Sequence, residues 1–209
     1  MKLTLKDGSV KEYQGPVTAA EAAKDLSMGL YRAACAARVD GKVVDLRTVL
    51  DHDCALEILT FADEDGQRAF NHTASHILAQ AVTHLYPEAK FAIGPAIDNG
   101  FYYDFDLPAP FTTEDLVKLE KEMAAIVKAD LPLEKFELDA AEALELMKDQ
   151  PYKEELIREH AGKGEKISFY RQGDFTDLCA GPHLMTTAPV KAGKLTSCTG
   201  AYWRGSEKN

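Results

Sequence analysis

The chain has 209 residues, of which 45% are hydrophobic and 28% charged, and its formal net charge is -10. A chain of this length and composition builds one or two soluble globular domains with hydrophobic cores of their own. The acidic balance argues against broad, non-specific binding to a phosphate backbone, because such binding needs clustered Lys and Arg. Any nucleic-acid partner must be met at a local patch or held mainly by another domain.

The sequence carries no signal for export, membrane insertion or a disulfide framework. No apolar run approaches the ~18 residues that a membrane span needs, and residues 1–6 alternate like a strand instead of opening a signal peptide. The four cysteines are widely spread without a CxxC pair. We therefore expect a cytoplasmic protein with free thiols, and we expect Cys198 to be buried.

The first sixty residues have the element order of a small β-rich domain. Alternating apolar and polar residues predict a hairpin over residues 2–13, and an Ala-rich segment opened by a capping box predicts a helix over 19–26. A second hairpin is predicted around Asp40-Gly41, followed by a buried strand over 56–61. This order is typical of a β-grasp, ubiquitin-like domain. It contains no catalytic constellation, and His52 is interpreted as a solvated loop histidine.

A domain boundary is predicted at residues 62–66, an acidic stretch that ends in Gly and has no apolar period. Beyond it, helical and strand patterns alternate, which predicts an α+β domain with an antiparallel sheet. Neither GxGxxG nor GxxxxGK[ST] is present, so no Rossmann or P-loop nucleotide site is predicted. The predicted helices are 67–86, 112–127, 140–147 and 151–160, and the predicted strands are 91–105 with a turn at Asn99-Gly100, 133–138, 167–171, 175–179 and 195–203, before a polar end at 205–209.

Two pairs of chemically capable residues stand out in this second part. His72 and His76 are four residues apart in a predicted helix, so both imidazoles project from one face. Cys179 and His183 bracket a Gly-Pro pair that cannot continue a helix, which predicts a tight loop. A lone His or Cys is usually a core residue, but gathered imidazoles and thiolates are nucleophiles, proton carriers or metal ligands. We expect the two pairs to share a site.

Two hydrolytic chemistries fit such a cluster. A Zn²⁺ ion held by three or four of these residues would deliver hydroxide to a carbonyl carbon, although a site using all four as ligands would be closed and structural. Alternatively, the imidazoles could orient and deprotonate a water without metal, helped by Lys153 and Asp177. Taken alone, Lys153 is typical of a solvated lysine in the first turn of a helix, and Asp177 of a turn cap.

Five segments in this order closely resemble the N-terminal portion of bacterial threonyl-tRNA synthetases. The segments are HTASH, IGPAIDNGFYYDFD, PYK, DLCAGPH and GAYWRG. The resemblance covers essentially the whole chain, weakly over residues 1–61 and specifically over 66–205. It implies a β-grasp TGS domain at 1–62 and, at 63–209, the α+β editing (second additional) domain shared in outline with alanyl-tRNA synthetases.

The resemblance also implies an activity and a partner. The editing domain of this family hydrolyses tRNA(Thr) that has been mischarged with serine. The expected substrate is therefore tRNA(Thr) carrying serine at its 3′ end. Serine lacks one methyl group of threonine, a difference worth only ~1–3 kcal/mol in binding, so accurate translation needs a second, hydrolytic site. ATP and zinc are expected only in an aminoacylation domain that this chain does not contain, and full-length members are expected to dimerise through that domain.

The family's site is matched residue by residue. The resemblance implies catalytic roles for His72, His76, Lys153, Asp177, Cys179 and His183, and a substrate-binding role for Tyr103. A metal-free site is favoured, because the threonyl enzymes work without bound metal, whereas alanyl relatives bind zinc through a tetrad like His72, His76, Cys179 and His183. Two other interpretations stay open: an alanyl-type freestanding editing protein, and a non-catalytic tRNA- or protein-binding module with structural zinc.

Overall fold

Residues 1–191 and 193–205 are described in a computed structural model of the chain. They divide into two compact units. The first comprises Met1–Thr73, Ala96–Gly100 and Gly181–Met185, and the second comprises Ala74–Pro95, Phe101–Ala180 and the described residues from Thr186 onward. Within the described part of the chain, no helix is both long and apolar enough to cross a membrane.

The first unit is built on a five-stranded sheet in which the first and last strands lie side by side. The strands of this part of the chain are β1 Lys2–Leu5, β2 Val10–Glu12, β3 Val17–Thr18, β4 Ala34–Val39, β5 Lys42–Val44, β6 Val49–Leu50 and β7 Cys54–Thr60, and its helices are α1 Ala19–Leu26 and α2 Met28–Ala33. Strands β3 and β6 pair with each other and lie outside the five-stranded sheet. The sheet order is β2-β1-β7-β4-β5, with β1 and β7 parallel and the other pairs antiparallel. This is the predicted β-grasp topology.

Local chemistry explains why these elements form where the sequence predicts them. Asp40 and Gly41 both have positive φ, 47° and 83°, as a two-residue hairpin turn requires. Thr18 and Glu21 form a reciprocal capping box at the start of α1. The alanines of α1 then pack with Leu3, Leu46 and other apolar side chains in one buried cluster.

Helix α3 spans Glu64–Leu85 and therefore begins three residues before the predicted start. The acidic stretch supplies its first turn, because Glu64 and Asp65 are favourable at a helix N-terminus. Gly66 is required there, since a Cβ at this position would overlap the backbone carbonyl of Thr60. The stretch interpreted as a boundary loop is thus partly helical.

The second unit packs two short helices against an antiparallel three-stranded sheet. Beyond α3 the chain forms β8 Lys90–Phe91, β9 Ala96–Ile97, β10 Gly100–Phe101, β11 Phe105–Asp106, α4 Thr113–Lys128, β12 Leu133–Leu138, α5 Ala140–Leu146, α6 Pro151–Gly162, β13 Ile167–Gln172 and β14 Phe175–Leu178. Of these, β9 belongs to the first unit. The sheet order is β12-β13-β14, and Ile157 of α6 is buried in one cluster with Phe169 of β13. The predicted α+β class is confirmed.

The strand predicted at 195–203 is wrong. Among the described residues of this segment there is no strand, and Trp203–Gly205 forms a single short 3-10 turn. The segment is largely exposed, with Tyr202 63% accessible, so it has no apolar face to bury. Cys198 is accordingly exposed and not buried as expected. The predicted polar end at 205–209 lies, from residue 206 on, outside the described residues.

Candidate active site

Helix α3 presents the two histidines of the HTASH segment from one face, one turn apart. His76 is buried and His72 is half-buried. The remaining pair flanks a turn that follows β14, where Gly181 has a φ of 76°, a conformation that favours glycine. The predicted tight loop with Cys179 at one side and His183 at the other is therefore present.

In the first unit, His183 is fully buried and its ring packs at a tilt against the ring of His72. The two ring centroids are 4.0 Å apart with an interplanar angle of 30°. Nδ1 of His183 lies 3.2 Å from Oγ1 of Thr73, the residue next to His72. Thr73 also accepts a hydrogen bond from the backbone N–H of Leu184 at 3.0 Å. The loop histidine is thus tied to the helix that carries His72.

The hydroxyl of Thr73 indicates which nitrogen of His183 carries the proton. A threonine has one O–H, and Oγ1 of Thr73 donates it to the carbonyl of Ala69, 2.9 Å away. Oγ1 can then only accept from the His183 ring, which assigns the proton to Nδ1. The Nε2 atom of neutral His183 is consequently the acceptor or ligand nitrogen.

In the second unit, Lys153, Asp177 and Tyr103 form a buried polar network. Nζ of Lys153 lies 2.7 Å from Oδ1 of Asp177 and donates to the Tyr103 hydroxyl at 3.1 Å. The Tyr103 hydroxyl donates to Oδ2 of Asp177 at 2.6 Å. Lys153 is only 2% exposed, so the solvated lysine expected from its sequence context is wrong. Each of the three side chains contacts the other two, so the buried charges of Lys153 and Asp177 are paired, as buried charges must be.

Burial and the neighbouring positive charges shift the pKa of Asp177 in opposite directions. Desolvation alone would raise the pKa of Asp177, but the Lys153 ammonium, His76 and the hydrogen bonds outweigh it and hold the pKa below its ordinary value. Burial, reinforced by the Asp177 charge, raises the pKa of Tyr103 well above its ordinary value. Asp177 is therefore a carboxylate and Tyr103 a neutral phenol at neutral pH.

The network extends from Asp177 towards His76 on helix α3. Nε2 of His76 is 3.8 Å from Oδ2 of Asp177, and the His76 ring meets the Phe175 ring edge-on with 6.1 Å between centroids. Asp177 precedes Cys179 by two residues. All seven residues that the resemblance implies therefore lie in one of these two contact sets or in the adjoining loop.

The four candidate ligands divide between the two units. His72 and His183 belong to the first unit, and His76 and Cys179 belong to the second. Imidazole nitrogen and thiolate sulfur are the donors that Zn²⁺ prefers, and Thr73 fixes the His183 tautomer as an outer-shell partner would. The residues therefore fit a zinc ion as ligands, and they equally fit proton transfer to a water.

Glycine at position 94 lets the backbone lie flat against Tyr103. A Cβ at Gly94 would overlap the Tyr103 ring, whose Cγ would be 2.8 Å away. The Gly94 carbonyl accepts a hydrogen bond of 2.7 Å from Ser75, the fourth residue of HTASH. The sequence patterns did not mark Ser75, Gly94 or Thr73, although all three lie within two of the five segments that carry the resemblance.

A groove of about 520 Å³ in the second unit borders helix α3 on a different face. Its lining includes Ala74, Ile77 and Met123 and none of the seven predicted site residues. We therefore do not include it in the candidate site.

Comparison with known protein families matches both ends of the chain. Residues 1–60 match the TGS domain, and residues 167–209 match the threonyl and alanyl tRNA synthetase second additional domain. The chain therefore carries a TGS match over its β-grasp sheet, and a match to a domain of threonyl and alanyl tRNA synthetases over the segment with Cys179 and His183.

Relatives that match the whole chain narrow this similarity. Over its entire length the chain is 58% identical to a threonine–tRNA ligase of Acetivibrio thermocellus, 57% to one of Clostridium perfringens and 55% to one of Caldanaerobacter subterraneus subsp. tengcongensis. These matches cover 33%, 32% and 33% of the respective relatives, so the chain spans about a third of their length. Along its whole length the chain is therefore similar to the N-terminal regions of threonine–tRNA ligases.

Proposed function

We propose that this chain hydrolyses the ester between serine and the 3′ end of tRNA(Thr), releasing serine and free tRNA. The observation that carries the proposal is the buried lysine-carboxylate-phenol network of the second unit, with Nε2 of His76 3.8 Å from the Asp177 carboxylate. The match to a threonyl and alanyl second additional domain supports the substrate class. The proposal includes tRNA as the partner and the cytoplasm as the location.

His72 is proposed to activate the attacking water. His72 is half-buried, whereas His76 and His183 are buried, so a water can reach His72, whose ring contacts that of His183. A neutral imidazole takes a proton from water and passes it to the leaving ribose oxygen, with water attacking the ester carbonyl carbon. His76 and His183 are proposed to orient their neighbours.

Lys153 is proposed to hold the water and the developing negative charge. Its ammonium has three N–H donors, one directed at Asp177 and one at Tyr103. The third is proposed to point towards the reacting carbonyl, where a fixed charge in a dry site stabilises an oxyanion strongly.

Asp177, Tyr103 and Cys179 are proposed to line the acyl pocket, in which the extra methyl of threonine would clash. The tight Asp177–Tyr103 hydrogen bond gives that wall little freedom to move aside. Discrimination is then steric, which suits a second site that must accept the smaller amino acid.

No step of this proposal uses a metal. If zinc binds, the ligands would be His72, His76, Cys179 and His183, and the ion would supply a water of lowered pKa. Residues 1–62 are proposed to form the TGS domain and 63–209 the editing domain. Dimerisation and most of the tRNA contact are proposed to belong to the rest of the ligase.

The test is deacylation of Ser-tRNA(Thr) and Thr-tRNA(Thr) by the full chain, with and without EDTA, together with metal analysis. We expect selective loss of serine that survives the chelator. His72→Ala should reduce the rate by about 100-fold or more, because a positioned general base contributes about that factor. His52→Ala is the matched control, since His52 is an exposed loop histidine that contacts Asp51, and it should not change the rate.

Three other outcomes would change the functional assignment. Tightly held stoichiometric zinc without deacylation would favour the structural module, and preference for a mischarged tRNA(Ala) would favour the alanyl-type editor. Deacylation unchanged in His72→Ala would remove His72 from the mechanism.

A further inference from the structure

We propose that Asp45 and Arg47 of the first unit are positioning residues that fix His183. The inference rests on the proposed deacylation, and it gives the β-grasp part of the chain a direct role in it. The guanidinium of Arg47 donates to three consecutive carbonyl groups. Nη2 contacts Leu184 O at 3.0 Å and Met185 O at 3.1 Å, and Nη1 lies 3.5 Å from His183 O.

Asp45 completes this clamp by holding both Arg47 and the backbone of His183. Its Oδ1 accepts from the backbone N–H and from Nη1 of Arg47, each at 2.8 Å, and its Oδ2 accepts from the His183 backbone N–H at 3.3 Å. The Asp45 side chain is 4% exposed and that of Arg47 18%. A guanidinium paired in this way has a fixed fork of donors, which a flexible lysine would not provide.

Thr73 holds the same segment from the side of helix α3. It accepts the Leu184 N–H and the Nδ1–H of His183, so backbone and ring are fixed together. The segment has no helix or strand of its own, and these side chains supply its hydrogen bonds in place of a ladder. The position of the His183 ring over His72 therefore depends on Asp45 and Arg47.

The expected consequence is a change in the chemical step. Displacement of a reacting-site group by about 1 Å can cost about 100-fold in rate, even when the mutation lies away from the chemistry. Arg47→Met should reduce kcat for Ser-tRNA(Thr) by about 10- to 100-fold. KM should stay within about threefold, because the Asp45 and Arg47 side chains are only 4% and 18% exposed and offer little surface to a substrate. Arg47→Lys should fall between Arg47→Met and wild type.

Two further variants keep the test interpretable. Arg47→Met leaves Asp45 buried without its partner and can unfold the chain, so Asp45→Asn/Arg47→Met removes both charges together. Arg38→Met is the matched control: Arg38 is a first-unit arginine paired with Glu57 and Asp65, and it makes none of the contacts to residues 183–185. It should leave kcat and KM unchanged.

The second readout needs no substrate. In long-range ¹⁵N-¹H spectra at fixed pH, wild-type His183 should show the Nδ1–H tautomer, and the clamp variants should show broadened or averaged nitrogen signals. Folded clamp variants with wild-type kcat and wild-type His183 signals would overturn the inference. A wild-type chain without deacylation would overturn the proposed function instead, while the spectra still test the clamp.

Discussion

Nζ of Lys153 and Oδ1 of Asp177 are 2.7 Å apart, between side chains that are 3% and 5% exposed. An ion pair this deep lies outside the class of surface salt bridges that contribute little. Its two members come from helix α6 and strand β14, and Tyr103 joins them through its hydroxyl. The pair therefore links the polar network of the site to the stability of the second unit.

Lys153→Met should destabilise the chain by about 3–5 kcal/mol, because it leaves the Asp177 carboxylate buried without a countercharge. Lys153→Met/Asp177→Asn should recover part of that loss, since the two residues are directly coupled. Urea unfolding followed by circular dichroism measures both. The matched control is Lys194→Met, which breaks an exposed pair with Glu120 at 2.9 Å and should change little. Equal costs for Lys153→Met and Lys194→Met would contradict the burial argument.

Gly94→Ala should impair both stability and deacylation. The new Cβ overlaps the Tyr103 ring, so the ring must shift and its hydrogen bond to Asp177 must lengthen. We expect a loss of about 1–3 kcal/mol in unfolding free energy, the usual cost of overpacking, and a lowered kcat. Gly100→Ala is the matched control, because no atom lies within 4 Å of a Cβ there. A Gly94→Ala variant indistinguishable from Gly100→Ala would show that the ring moves without cost.

The elements that the sequence predicts well are those set by local rules. The capping boxes at Thr18 and Thr112 and the turn at Asp40-Gly41 depend on residues at most three positions apart, so the sequence alone contains them. The strand expected at 195–203 fails for the opposite reason, because a strand needs a neighbouring edge. The backbone N–H of Leu195 donates to the Glu120 side chain instead.

The site shows the same division. The pairs His72/His76 and Cys179/His183 are local patterns, and their spacing predicts a shared face and a shared loop. The burial of Lys153 depends on Tyr103, fifty positions earlier, and on Asp177, and no local pattern encodes either contact. Taken alone, the position of Lys153 in the first turn of a helix predicts a solvent-exposed side chain.

Asp45 and Arg47 were missed altogether. Their partners in the 183–185 segment are more than 130 positions away, and no short motif marks the pair. The only signal was indirect: an Asp-x-Arg sequence in a domain that otherwise offers no chemistry.

His84 should make the stability of the second unit depend on pH. Partial burial alone would lower the pKa of His84, but its contacts with Glu122 at 2.6 Å and Asp174 at 3.1 Å raise the pKa above 6.5. The charged form is therefore favoured in the folded state. The stabilisation is fully present below about pH 6.5, the unfolded value, and is lost as pH rises through the folded pKa.

Replacement of His84 by Gln should remove this dependence. The difference in unfolding free energy between wild type and His84→Gln should be about 1 kcal/mol or less, largest at pH 5.5–6.5, and should shrink towards pH 8. Urea titrations at half-unit pH intervals measure it. Asp174→Asn should give a smaller change of the same sign, since it removes one of the two carboxylates. A difference that grows with pH would reverse the assignment.

The four cysteines should separate by reactivity in the native chain. Cys198 is exposed, whereas Cys35 and Cys54 are buried, and burial raises the pKa of Cys35 to about 11. At pH 8 only about one part in a thousand of Cys35 is thiolate, and the thiolate is the reactive species. Iodoacetamide labelling followed by peptide mass spectrometry should therefore modify Cys198 first and leave Cys35 and Cys54 unmodified until urea is added.

The half-buried Cys179 should react at an intermediate rate, and Cys198→Ser should remove only the fast phase. Early labelling of Cys35 would mean that the first unit opens far more readily than its buried core indicates.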